Sequence, residues 1–327
     1  MPLRTLFFGS PQFAVPTFRS LANDERFSLD LVITQPDRPS GRGRKLVEPP
    51  VKSAAQDAGV PVWQPETLRT IDARERLAEC DADLFVVVAY GELFKRSILQ
   101  LPRHGCLNVH PSLLPRYRGS APIQAAILNG DRETGVSIIQ MVRRLDAGPI
   151  VAQQRISLDG SETGGSLGEA LAELSARMIP DVAVAWSTNT IEALPQNEDE
   201  ASYTRELRKS DGLIDWTEPS SAIERKVRAY SPWPSAWTRL NGRRVVIVAS
   251  EAIDGSDDAQ PGSVTHSKNG VIVACGAGSL RLVSVQPEGR STMPAESWFR
   301  GLRPSDRLCF ERSTKGDDDT VEIDGRA

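Results

Sequence analysis

The chain has 327 residues, 39% hydrophobic and 25% charged, a balance that suits one large or two ordinary globular domains and excludes a disordered chain. Its net charge of -4 excludes a protein that is basic throughout, although a local basic patch still acts on an acidic protein. No apolar run is long enough to span a bilayer, and the short one at the N-terminus is broken at once by Gly9-Ser10-Pro11, as in a first core strand rather than a signal peptide.

In chain order, LRTLFFG (3–9) reads as a buried strand, PTFRSLAND (16–24) as a short helix and LDLVITQ (29–35) as the next strand. A helix over VKSAAQDAG (51–59), a short strand at PVWQ (61–64) and a helix over 70–80 follow. ADLFVVVAYG (82–91) is the strongest strand, continuously apolar and closed by Gly91. Continuous apolar strands separated by helices predict a parallel sheet covered on both faces. GCLNVHPS continues this pattern, TGVSIIQMV (134–142) and PIVAQQRIS (149–157) read as a strand pair, and 166–186 as a helix.

The character changes near residue 188. The polar stretch 189–208 reads as a linker. Beyond it RRVVIVASEAI, GSVTH, GVIVACG and SLRLVSVQP are short runs bounded by Gly, Pro or Ser, the pattern of a small all-β barrel or sandwich. This gives a domain at 1–188, a linker at 189–208, a small all-β barrel or sandwich at 209–312 and an acidic, disordered tail at 313–327. The second domain is mildly basic, but the densest basic cluster is RPSGRGRK (38–45).

Several chemistries are disfavoured. GSPQF stands where a dinucleotide-binding G-x-G-x-x-G belongs, and no P-loop motif occurs. Three histidines without a cysteine pair give poor support to a metal site, and no G-x-S-x-G surrounds Ser112. The scattered Cys80, Cys106, Cys275 and Cys309 imply reduced thiols and a cytoplasmic protein.

What remains is LNVHPSLLPRYRG (107–119), a strand running into a proline-bounded loop. Residues two apart on a strand share a face, so Asn108 and His110 point into one space, at the strand end where open α/β sheets bind ligands. An Asn amide is a suitable oxyanion donor, and a carboxylate such as Asp146 would orient an imidazole. Read alone, the pair is also what a satisfied polar strand end looks like, and Asp146 beside Gly148 is what a turn looks like.

Asn108-Val109-His110 followed by Pro111-Ser112-Leu113-Leu114-Pro115 and Gly119, with Leu145-Asp146-Ala147-Gly148 downstream, resembles the folate-dependent formyltransferases, from Leu3 to about Phe310. The resemblance implies an α/β, Rossmann-like domain with a parallel-rich sheet, followed by an OB-like barrel. It implies Asn108, His110 and Asp146 as the catalytic set and 10-formyltetrahydrofolate as donor, with no metal. It also implies a folate pocket at Ser112, Leu113, Leu114 and Pro115 and at Val88, Ala89, Tyr90 and Gly91.

Within the family, the glycinamide ribonucleotide branch normally lacks a second domain. The sugar-nucleotide branch, acting on UDP-amino sugars, usually lacks a basic loop after the second strand. ITQPDRPSGRGRKLVEPPVK (33–52) looks like the insertion of the branch that formylates initiator methionyl-tRNA for translation initiation, and YSPWPSAW (230–237) like the start of its barrel. That likeness implies tRNA contacts from Arg38, Arg42, Arg44 and Lys45, with Arg42 between two glycines the foremost, in a monomer that touches no membrane. Taken alone the cluster is a solvated loop, although arginine pairs well with phosphate. Trp233 and Trp237 offer rings for RNA stacking, but burial in the barrel or at the domain junction is the favoured reading. An RNA-binding protein without activity and a formyltetrahydrofolate hydrolase are the other readings.

Overall fold

The computed structural model describes residues 1–40, 45–254, 259–302 and 308–311. The chain divides into two compact units, the first made of residues 1–123, 132–158 and 166–205, the second of 124–131, 159–165 and the chain from 206 onward.

The first unit opens with β1 (Leu3–Gly9), α1 (Val15–Ala22) and β2 (Phe27–Ile33). The hairpin β3 (Arg38–Ser40) and β4 (Lys45–Val47) precedes α2 (Pro50–Asp57), β5 (Val62–Trp63), α3 (Ile71–Glu79) and β6 (Leu84–Val88). Then come α4 (Arg96–Leu99), β7 (Cys106–His110), β8 (Arg118–Gly119), α5 (Pro122–Leu128, most of which belongs to the second unit), β9 (Glu133–Gln140), β10 (Ile150–Ser157), α6 (Gly164–Ser187) and β11 (Tyr203–Thr204).

Seven strands form one sheet in the order β10-β9-β7-β6-β1-β2-β5. The five from β5 to β7 are parallel, while β9 and β10 add an antiparallel edge. The chain builds outward from β1 through β2, then crosses back to β6, so the order reverses beside β1. At such a switch point the loops diverge and leave a crevice at the carboxyl ends of the strands. Both faces of the sheet are buried: Leu6 and Phe8 pack with Phe85 on one side, and Phe7 meets the Phe18 ring on the other. Covered faces explain why β1 and β6 are continuously apolar rather than alternating.

The second unit carries α7 (Ser220–Ala229), β12 (Ala236–Leu240), β13 (Arg243–Ile253), β14 (Val264–Ser267), β15 (Gly270–Ala274), β16 (Ser279–Pro287), β17 (Met293–Pro294) and α8 (Ala295–Arg300). The sheet runs β12-β13-β16-β15-β14 with β17 on β16, all pairs antiparallel, which is consistent with the small barrel expected. Its core stacks the Trp216 and Trp298 rings on Phe310.

Three features differ from the sequence reading. The basic segment is flanked by a β-hairpin, with Arg38 opposite Val47 and Pro39 opposite Leu46, because Leu46 and Val47 supply strand-forming residues that the charges around them conceal. Residues 189–208 include an antiparallel bridge from Leu194 to Ile150 and the parallel pairing of β11 with β8. Trp233 is half-exposed rather than buried, whereas Trp237 is buried as expected and donates its indole N–H to the Lys209 carbonyl.

Candidate active site

Three polar side chains converge at the carboxyl end of β7. Asn108 and His110 stand two apart on this strand, and β9 pairs beside them, Ile139 opposite Asn108 and Ser137 opposite His110. The connection from β9 to β10 carries Asp146 back to the same place. Asp146 Oδ1 accepts a hydrogen bond from Asn108 Nδ2 at 3.3 Å. Asp146 Oδ2 accepts from the Gly119 backbone N–H at 2.8 Å and lies 3.6 Å from His110 Nδ1. Spacing alone left these three unconnected.

The turn that presents Asp146 has specific backbone needs. Asp146 sits at φ +48°, in the left-handed region that Asp enters more readily than most residues. At Gly148 a Cβ would lie 1.8 Å from the Gln140 carbonyl oxygen, so only glycine permits this approach of the turn to β9.

His110 is buried, and its Nε2 lies 2.9 Å from the Tyr117 carbonyl oxygen. That oxygen can only accept, so Nε2 carries a hydrogen and Nδ1, the atom facing Asp146, is where the ring gains or loses its exchangeable proton. Asn108 has two N–H donors and directs one at Asp146, which leaves the second for a ligand. Tyr117 and Gly119 therefore hold the site through backbone atoms, and sequence reasoning found neither. The only sequence signal was Gly119, whose φ of +103° and tight approach to Thr204 exclude a side chain.

The two segments expected around a folate lie beside this cluster. Val87 is opposite Asn108 and Val88 ends β6, so residues 89–91 leave the sheet next to the end of β7. Ala89 and Gly91 are exposed with positive φ, while Val88 and Tyr90 face the core. Tyr90 packs its ring against Phe8 and Phe94, and burial raises its phenol above the usual range. The loop after β7 is held by its own hydrogen bonds: Ser112 is fully buried and donates to the Arg116 carbonyl, Leu114 N–H donates to Ser137, and Gln153 donates to the Leu114 carbonyl. Leu113 and Pro115 are partly exposed, so this loop offers a ligand its apolar surface rather than the Ser112 hydroxyl.

The basic hairpin is anchored at both roots. Lys52 Nζ on α2 binds Asp37 before β3, at 2.6 and 2.9 Å to its two oxygens, and lies 3.7 Å from Glu48 just after β4. Gln64 Nε2 adds a third hydrogen bond to Asp37. Arg38 begins β3 and Lys45 begins β4, whereas Arg42 and Arg44 lie outside the described residues.

A family model described as formyl transferase matches residues 3–183, and one described as formyl transferase, C-terminal domain, matches residues 206–303. The chain is 45% identical over 306 residues to the methionyl-tRNA formyltransferase of Roseiflexus sp. (strain RS-1), covering 93% of this chain and 94% of the relative. It is 43% identical to that of Methylococcus capsulatus, covering 91% and 96%. Among solved structures, an N-formyltransferase from Helicobacter canadensis, in complex with folinic acid and dTDP-3-aminofucose, superposes with a TM-score of 0.64 at 18% identity, over 86% of this chain and 99% of that one. HypX from Aquifex aeolicus, in complex with tetrahydrofolic acid, gives 0.60 at 15% identity; the match spans 96% of this chain and about half of HypX. These two likenesses concern the fold.

Proposed function

The chain belongs to the methionyl-tRNA formyltransferase family, and on that premise we propose that it transfers the formyl group of 10-formyltetrahydrofolate to the α-amino group of initiator methionyl-tRNA. The observation that carries the reading is one carboxylate, Asp146, meeting both the amide of Asn108 and the imidazole of His110. Formyl transfer needs these parts. The neutral amine attacks the formyl carbon, a C–N bond forms, and the carbonyl oxygen becomes an oxyanion. The free N–H of Asn108 donates to that oxygen, an interaction stronger in the transition state than in the ground state. His110 Nδ1 takes the proton the attacking nitrogen must lose, and Asp146 Oδ2 stabilises the imidazolium that results. The bond to N10 then breaks and His110 returns the proton to that nitrogen. The products are the formylated amine and tetrahydrofolate, and no step requires a metal.

The apolar surfaces of residues 112–115 and 88–91 serve as walls for the folate. Arg38, Arg42, Arg44 and Lys45 engage the tRNA backbone, an electrostatic contribution that weakens as salt is added. The protein acts as a cytoplasmic monomer.

The acceptor is tested by offering the purified protein 10-formyltetrahydrofolate with either initiator methionyl-tRNA or a uridine-diphosphate amino sugar. Formylation of the tRNA alone is expected. Formylation of the sugar nucleotide alone would move the chain to that branch and leave the basic hairpin a solvated loop.

A further inference from the structure

The polar stretch between the two family-model matches holds a more specific feature than a linker. Gln196 uses its whole hydrogen-bonding capacity. Its Nε2 donates to the carbonyl oxygens of Asp146 at 2.8 Å and Gly148 at 2.7 Å, and its Oε1 accepts from Arg118 Nε at 3.0 Å and Nη2 at 2.8 Å. Two carbonyls of one tight turn converge on a single amide. That convergence fixes the turn on which Asp146 is held in its left-handed conformation.

The partner of Gln196 is equally saturated. Arg118 is fully buried, and all five of its N–H donors are used: two on Gln196, two on Glu198 at 3.0 and 3.1 Å, and one on the Tyr203 hydroxyl at 3.0 Å. A buried guanidinium is tolerated only when it is paired in this way. Arg118 also lies between the two backbone groups of the site, the Tyr117 carbonyl that holds His110 and the Gly119 N–H that holds Asp146. The same stretch fastens this segment: Tyr117 N–H donates to Ser202 Oγ, Arg118 N–H to the Ser202 carbonyl, and the Thr204 hydroxyl to the Arg118 carbonyl.

We propose that residues 196–204 form a strap that sets the catalytic geometry, with Gln196 as a positioning residue for Asp146 and Arg118 as its holder. This rests on the reading of Asp146 as the carboxylate that serves His110. Gln196 touches no reacting atom and acts only through the turn. Its loss therefore lowers kcat and leaves substrate binding nearly intact.

The test is a cycle of full-length variants, Gln196→Met, Asp146→Asn and the double variant, assayed for formyl transfer at saturating and limiting substrate. Misplacing a reacting group by about 1 Å costs on the order of 10²-fold. Gln196→Met is expected to lower kcat by about that factor in the wild-type background, with the KM values of donor and tRNA little changed. In the Asp146→Asn background it should cost little more, because residues acting as one unit are non-additive. A loss by the same factor in both backgrounds, with a lowered melting temperature, would show a structural strap only and overturn the proposal. So would unchanged kcat in Gln196→Met while Asp146→Asn is impaired. If Asp146→Asn itself kept full activity, the reading of Asp146 would fail first. Should Gln196→Met not fold, Gln196→Asn keeps the amide one methylene short of the turn and serves the same cycle.

Discussion

In the proposed mechanism Asn108, His110 and Asp146 have distinct tasks set by atoms rather than by residue type. Because His110 Nε2 is committed to the Tyr117 carbonyl, proton exchange falls to Nδ1. Because Asn108 spends one N–H on Asp146, its other N–H is the donor available to an oxyanion. Asn108→Ala removes that donor and should lower kcat by roughly 10²- to 10³-fold. His110→Ala removes the proton carrier and should lower it by roughly 10²- to 10⁴-fold. Both should leave the folate dissociation constant near the wild-type value, read by ligand-induced fluorescence or calorimetry. Near-wild-type turnover in either variant removes that residue from the mechanism. At this scale the sequence was partly legible. The two-residue spacing on an apolar strand placed Asn108 and His110 on one face, since strand side chains alternate. It could not join them to Asp146, because that link depends on the pairing of β7 with β9 and on a returning turn. The roles of Tyr117 and Gly119 are borne by backbone atoms and leave almost no mark in residue type.

The element that most changes the sequence picture is the hairpin β3–β4. A run rich in Arg, Gly and Pro reads as loop, yet Lys52 ties its entry at Asp37 and its exit at Glu48 to one helix. The Lys52 hydrogen bonds hold the Asp37 carboxyl below the usual range, and Asp37 in turn raises the ammonium. On the proposed tRNA contact, an anchored root would lower the entropy lost when the hairpin binds RNA. Lys52→Ala should therefore raise the KM for tRNA several-fold and leave the KM for the folate donor unchanged. Equal changes in both would place the hairpin at the donor site instead. The stretch 189–208 repeats the lesson. Its polarity reads as linker, but Gln196, Ser202 and Thr204 are polar because they bind buried backbone groups elsewhere in the chain. Long-range hydrogen bonding of this kind has no periodic signature.

For the whole molecule, the alternation of apolar strands and helices was enough to predict a parallel sheet, since a sheet covered on both faces leaves continuous hydrophobic runs. The antiparallel character of the second unit followed from short strands between turn residues. Carboxylates held by partners also set the response to acid. Asp37 is depressed by Lys52, Glu198 by Arg118 and Asp24 by Arg26. A carboxyl depressed in the folded state adds stability above its unfolded pKa, and that contribution is lost as pH falls through the folded value. The melting temperature should thus be nearly flat at mildly acidic to neutral pH and drop once pH goes below about 4, where unfolded carboxyls titrate. Stability that instead rose on acidification would contradict these pairings.

The most direct measurement is single-turnover formylation with 10-formyltetrahydrofolate and two acceptors, initiator and elongator methionyl-tRNA, with formylated aminoacyl-tRNA separated from unformylated. Rapid transfer to the initiator, little to the elongator, and loss of the initiator reaction in His110→Ala are expected. Failure to formylate either tRNA by protein that still binds folate would contradict the assignment of the acceptor. Undiminished transfer by His110→Ala would contradict the mechanism built on this site.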